Sequence, residues 1–125
     1  IVKLTGYVDN TLKYFKRANV FALSSHVEGL PNVLVEAMMC GCTPVSTDCP
    51  TGAREVLKDG EYGYLTPVGD ITSMANGIRK ALKNPIPEGI LKKAVEPFSE
   101  HRVFEEHCKS LEIPKSDFFP RNEKV

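Results

Sequence analysis

Apolar positions along this chain follow two rhythms: short unbroken runs, and stretches in which they recur every three or four residues. Val20-Phe21-Ala22-Leu23, bounded by Ser24-Ser25, and Pro44-Val45-Ser46 are of the first kind and predict buried parallel strands. Pro44 leaves the start of its strand open, because proline has no N–H to give a ladder. Val2 to Val8 reads as a further short strand ending near Asp9-Asn10, and Tyr62-Gly63-Tyr64-Leu65 as an edge-like one. The second rhythm appears at Leu12, Phe15 and Ala18, then at Val33, Leu34, Ala37 and Met38, with Gly41 closing that stripe. A short helix is expected over residues 52–57, stopped by Lys58-Asp59-Gly60. Asp70 is placed to cap a longer helix carrying Ile71, Met74, Ile78 and Leu82, ended by Asn84-Pro85. Two more helical segments follow, about Glu88 to Val95 and about Ser99 to Leu111.

Strands alternating with helices through short loops predict an α/β domain built on a parallel sheet of about four strands with flanking helices. The domain is expected over residues 1–111. Residues 112–125, with two prolines and Phe118-Phe119, are read as a C-terminal tail. The start, Ile1-Val2-Lys3-Leu4, falls inside a predicted strand and carries no methionine, so the chain is expected to be a piece of a longer one.

Composition narrows the function classes. At 125 residues, with 42% hydrophobic and 26% charged positions, the chain has ordinary globular make-up and room for one core. Sixteen basic residues balance sixteen acidic ones, so no overall field points to nucleic acid, which is not expected as a partner. No run approaches the length of a transmembrane helix, and the first residues do not form a signal peptide. Cys40, Cys42, Cys49 and Cys108 match no common zinc spacing and read as reduced cysteines of a cytoplasmic protein, with no metal expected. Lys13, Lys16 and Arg17 read as a solvated helix face, and Met38 and Met39 as core fillers.

The informative segment is Glu28-Gly29-Leu30-Pro31-Asn32-Val33-Leu34-Val35-Glu36, which directly follows a predicted strand. Gly29 lets the backbone turn or approach a ligand, and Pro31 suits a first helical position. The N–H groups from Asn32 onward are then expected free at a helix N-terminus, where free donors and the dipole suit a diphosphate. Glu36, four residues past Asn32, lies roughly 6 Å along the helix. A carboxylate there is poorly placed for phosphate and well placed for the vicinal diol of a ribose. Glu28, before the helix, lies across the phosphate position and can take sugar hydroxyls. Two glutamates eight apart are by themselves as readily a loop cap and a solvated helix residue.

With their surroundings, these residues resemble the E-x7-E motif of retaining GT-B glycosyltransferases of the group 1, family 4 type. Their segment reads like E-G-x-P-x-x-x-x-E-A-M, here Glu28 to Met38. The resemblance continues through Cys40-Gly41, Pro44 to Asp48, Gly52, Arg54-Glu55-Val56 and Asp59 to Leu65. It reaches back to Gly6-Tyr7-Val8 and forward to about Leu111. It implies a partial Rossmann-like nucleotide-sugar-binding domain, part of a GT-B C-terminal lobe. It also implies transfer of a sugar with retention from a nucleoside-diphosphate sugar, a UDP-sugar being favoured, without cofactor or metal. By matching position, Glu28 would contact the donor sugar in the catalytic role. Gly29, Leu30, Pro31 and Asn32 would meet the diphosphate, and Glu36 the ribose. An Arg and a Lys that the family sets against the pyrophosphate precede these residues, as does the acceptor-binding N-terminal domain, so the fragment is not expected to act alone. Asp48 to Glu55 resembles a subgroup that builds polysaccharides or lipid-linked oligosaccharides. A lipid-linked acceptor would bring peripheral membrane association through the parent enzyme, at the cytoplasmic face.

Three alternatives stand beside this reading. The chain is otherwise a non-catalytic nucleotide-binding or interaction module completed by a partner chain. His26 is either a polarising group for the donor or a loop histidine touching backbone, the second being favoured. Arg54 and Glu55 either pair locally at the start of a short helix, or Gly52 and Ala53 line the nucleotide pocket.

Overall fold

The computed structural model describes residues 2–99. By contacts the chain divides into a unit of residues 1–95 and a second of residues 96–125. Of the second, the description covers only its start, a 3-10 turn at Glu96–Phe98. The helix expected from Ser99 to Leu111, the boundary at residue 111 and the tail lie outside the described residues.

The first unit runs α1 (Leu12–Phe15), β1 (Val20–Leu23), α2 (Asn32–Met39), β2 (Thr43–Thr47), α3 (Ala53–Val56), a 3-10 turn (Lys58–Gly60), β3 (Tyr64–Thr66), α4 (Ile71–Lys83) and α5 (Glu88–Val95). The strands form one parallel sheet in the order β1-β2-β3, with Val20 opposite Thr43 and Val45 opposite Tyr64. The α/β class, the parallel sheet and the flanking helices therefore agree with the sequence pattern.

Among the described residues the sheet has three strands where about four are expected. Residues 2–8 carry no strand, and Val2, Leu4 and Tyr7 are exposed. A strand needs a ladder partner and a face to bury, and this segment has neither among the described residues. The second correction concerns β1, which was expected to be buried. It pairs on one side only, Ala22 is exposed and its other residues are half-buried. β2 is the fully buried strand.

Pro44 sits in that central strand at a position where the missing N–H costs no ladder bond. Thr43 N–H donates to Asn19 O on the β1 side at 3.0 Å, so the next N–H would point to the β3 side. There β3 begins only at Tyr64, opposite Val45.

The two crossovers step the same way across the sheet, and right-handed connection puts α2 and α3 on one face. The other face is left for α4, which packs on all three strands. Gly77 makes that approach possible: a Cβ there would lie 2.9 Å from Val45 Cγ1 and 3.1 Å from Thr66 Cγ2. The buried stripe of α4 is consequently Gly77 and Ala81, with Met74 and Ile78 half-buried. Ile71 and Leu82, expected in the stripe, are exposed. Asp70 caps the helix as expected, accepting from Ser73 N–H at 2.8 Å. On the opposite side Leu34, Met38, Leu57 and Leu91 are fully buried, each contributing about 1.5–3 kcal/mol by leaving water.

Candidate functional site

Parallel strands deliver their C-terminal ends, and the loops that follow, to one edge of the sheet. Here those loops are residues 24–31 after β1, residues 48–52 after β2 and residues 67–70 after β3. The first two are tied together. Thr51 Oγ1 donates to Glu28 O, and a Cβ on Gly52 would be driven into Gly29 O and lie 2.7 Å from Pro31 Cδ. Gly52 has φ 81°, a conformation glycine adopts without strain.

Within the first loop Ser25 Oγ donates to Glu28 Oε1 at 2.5 Å. Ser25 O in turn accepts from Thr47 Oγ1 at 2.5 Å, at the end of β2. Glu28 is half-buried, while Gly29 and Leu30 are exposed and Pro31 is fully buried beneath them. Pro31 is the N-cap of α2 and Asn32 the first helical residue, so the expected position of Pro31 shifts by one. The expectation of free amides from Asn32 onward is corrected as well. Asn32 N–H donates to Leu30 O and Leu34 N–H to Pro31 O, both at 2.9 Å. A tight turn into the helix consumes donors that an anion would otherwise use.

Glu36 is exposed one turn along α2, where it borders an open groove of about 720 Å³ together with Asp9, Asn10, Thr11, Met39 and Cys40. Glu28 does not border that groove. His26 is exposed and lines a different cavity of about 260 Å³, with Ser24, Thr47, Asp70 and Met74, at the α4 side of the strand ends.

Local pairing at the start of α3 is present for Arg54. Arg54 pairs with Asp48, its Nε 3.0 Å from Asp48 Oδ1, and with Asp59 at 2.9 Å. The hydrogen bonds to Asp48 and then to Asp59 raise the guanidinium pKa. Ala53 is fully buried, and Gly52 is turned against the Gly29 loop. Met38 is core as expected, whereas Met39 is exposed beside the groove.

The cysteines near the site are structural in their contacts. Cys42 Sγ donates to Phe15 O at 3.1 Å and to Ala18 O at 3.4 Å. Burial, and then the neighbouring Cys40, push its thiol pKa up, so it stays protonated and poorly reactive. Among the described residues no cluster of His, Cys, Asp and Glu gathers for a metal. No helix there is long and apolar enough to cross a membrane.

Sequence reasoning assigns no site role to Ser25, Thr47 or Thr51. Ser25 stands three residues before Glu28, an S-x-x-E spacing that brings hydroxyl and carboxylate together locally. Thr47 and Thr51 reach the loop from a distant part of the chain, and no local pattern announces such contacts.

Comparison with known proteins gives one family. The model of the glycosyl transferases of group 1 matches residues 1–97. A 4-alpha-N-acetylgalactosaminyltransferase of Campylobacter jejuni, named as acting on N-acetylgalactosamine-N,N'-diacetylbacillosaminyl-diphospho-undecaprenol, is 40% identical over 83 residues. That match covers 66% of this chain and 23% of the relative. The capsular polysaccharide biosynthesis glycosyltransferase CapM of Staphylococcus aureus is 31% identical over 110 residues, 84% of this chain and 29% of its own length. A second alpha-1,4-N-acetyl-D-galactosaminyltransferase of C. jejuni is 30% identical over 112 residues, covering 90% and 29%. The matched part amounts to about a quarter of the length of such relatives.

Proposed function

The chain belongs to the glycosyl transferases of group 1, and from that premise we propose that it forms donor-binding structure of a retaining enzyme. The donor is a nucleoside-diphosphate sugar, with UDP the favoured nucleotide. The acceptor is a saccharide or a lipid-linked oligosaccharide, the chemistry named for the relatives from C. jejuni. Glu28 takes hydroxyls of the donor sugar, the Gly29–Asn32 turn faces the diphosphate, and Glu36 takes the ribose diol. No metal or cofactor is invoked. The 125 residues alone are not expected to turn over, since the matched part amounts to only about a quarter of the length of the relatives.

The observation that carries the reading is the placement of the two carboxylates around the start of α2. Glu28 is held half-buried by Ser25 in the loop before the helix, and Glu36 is exposed on the helix beside an open groove. A carboxylate accepts two hydrogen bonds from a vicinal diol, and an exposed glutamate over a groove is free to do so. The diphosphate is less well served. The Asn32 and Leu34 amides are spent inside the chain, and the helix dipole adds only ~0.3–1 kcal/mol at an exposed site. Binding by this chain alone is therefore weak.

The test is ligand-detected NMR with UDP, GDP and ADP on the chain and on Glu36→Ala. One nucleotide should bind, and the substitution should weaken it about tenfold or more, the effect of losing charged hydrogen bonds of ~1.5–3 kcal/mol. Equal binding by the variant would remove the ribose assignment.

A further inference from the structure

Glu28 is held, carboxylate and main chain, by hydroxyls drawn from three parts of the chain. Ser25 Oγ, in the loop after β1, donates to Glu28 Oε1 at 2.5 Å. Thr47 Oγ1, at the last residue of β2, donates to Ser25 O at 2.5 Å. Thr51 Oγ1, in the loop before α3, donates to Glu28 O. The backbone just beyond is pinned by Gly52 against Gly29 O. Side chain and main chain of Glu28 are thus each tied, and both ties run to the segment from the central, fully buried strand into the loop after it.

We propose that Ser25 is the positioning residue for Glu28, with Thr47 and Thr51 as anchors that transmit the rigidity of β2 to that carboxylate. The assignment rests on the reading of Glu28 as the group that meets the donor sugar. The physical need is plain. A glutamate in an open loop samples several rotamers, and a carboxylate that must meet hydroxyls of one sugar loses affinity in proportion to the time spent elsewhere. A serine hydroxyl has one proton to give. Given to Oε1, it fixes the orientation of the carboxylate while Oε2 keeps its full accepting capacity for a ligand. Thr47 fixes the carbonyl of the same serine, so Ser25 itself is not free to follow the glutamate.

This separates two parts of donor recognition. The nucleotide is met at α2 and does not need Ser25. The sugar is met by Glu28 and does. Loss of the Ser25 hydroxyl should therefore reduce the preference for a nucleotide-sugar over its nucleotide and leave the nucleotide itself alone.

Two measurements on the 125-residue chain test it: three-bond couplings that report χ1 of Glu28, and the ratio of affinities for UDP-N-acetylgalactosamine and UDP. The first needs no ligand. The wild type should show couplings of one Glu28 rotamer, Ser25→Ala averaged couplings, and Ser25→Thr, which keeps the hydroxyl, a return to one rotamer. The affinity ratio should fall about tenfold in Ser25→Ala, the scale of a lost charged hydrogen bond, recover in Ser25→Thr, and leave UDP binding unchanged. A single Glu28 rotamer in Ser25→Ala, or an unchanged ratio, overturns the proposal. If the chain binds neither compound, the couplings alone decide. Glu28→Gln separates the two ideas. An unchanged ratio in that variant, with couplings behaving as stated, would sink the sugar-binding reading and leave the positioning by Ser25 standing.

Discussion

Gly52 shows how a single residue without a side chain can shape this site. At φ 81°, with the Gly29 carbonyl where its Cβ would be and Pro31 Cδ 2.7 Å away, no larger residue fits unless the Gly29–Pro31 turn moves. Gly52→Ala is therefore expected to cost about 1–3 kcal/mol, the range for a residue forced into a disfavoured backbone region, and to displace the loop that carries Glu28. Urea denaturation of the variant checks this, and an unchanged midpoint would count against the close packing. At this scale the sequence was partly legible. The turn-forming role of Gly29 and Pro31 follows from their own chemistry. The contacts of Thr47, Thr51 and Gly52 with that loop join residues more than twenty positions apart, and only the folded chain reveals them. Arg54 illustrates the same limit. Local pairing is readable from the sequence, but the identity of the partners, Asp48 before the helix and Asp59 after it, is not.

Among the elements, those defined by strong local signals fall where the pattern put them. β1 occupies residues 20–23 and α5 residues 88–95, both as read from the run of apolar residues or the helical spacing. α4 starts where Asp70 can cap it. Its buried face, however, was read one way and lies another, because Gly77 and Ala81 are small enough to let the helix sit close on β2 and β3. Hydrophobicity alone does not rank a glycine as a contact residue. The Asp70 cap also yields a pH prediction. The Ser73 hydroxyl, then the Ser73 N–H, hold the Asp70 carboxyl below its ordinary value. A folded-state pKa that is depressed contributes stability above the unfolded value, near 3.9, and that contribution is lost as pH falls through the folded value. The melting temperature should thus drop below about pH 4, and Asp70→Asn, which caps without titrating, should show a smaller drop. Glu61 and Glu88, lowered chiefly by hydrogen bonds from Lys58 and Lys92, titrate in the same sense and keep the drop from vanishing. Identical pH profiles for the two proteins would show that the cap is not the titrating group.

Across the described molecule, a three-stranded parallel sheet carries helices on both faces and collects its loops at the C-terminal ends of the strands. The class of fold was readable because alternation of strand and helix is a property of the whole sequence. The number of strands was not, since whether residues 2–8 form one depends on a neighbour that local pattern cannot supply. Glu28 and Glu36 are linked by one loop and one helix, and Glu36 borders an open groove that Glu28 does not line; the candidate site is the stretch that joins them. The most direct test of its assignment is a 15N-labelled amide titration of the chain with UDP-N-acetylgalactosamine. Shifts concentrated at Gly29, Leu30, Asn32, Val33 and Glu36 are the expected result. Shifts gathered instead around His26, Gly69 and Asp70, at the cavity beside α4, would place any ligand elsewhere and contradict the account.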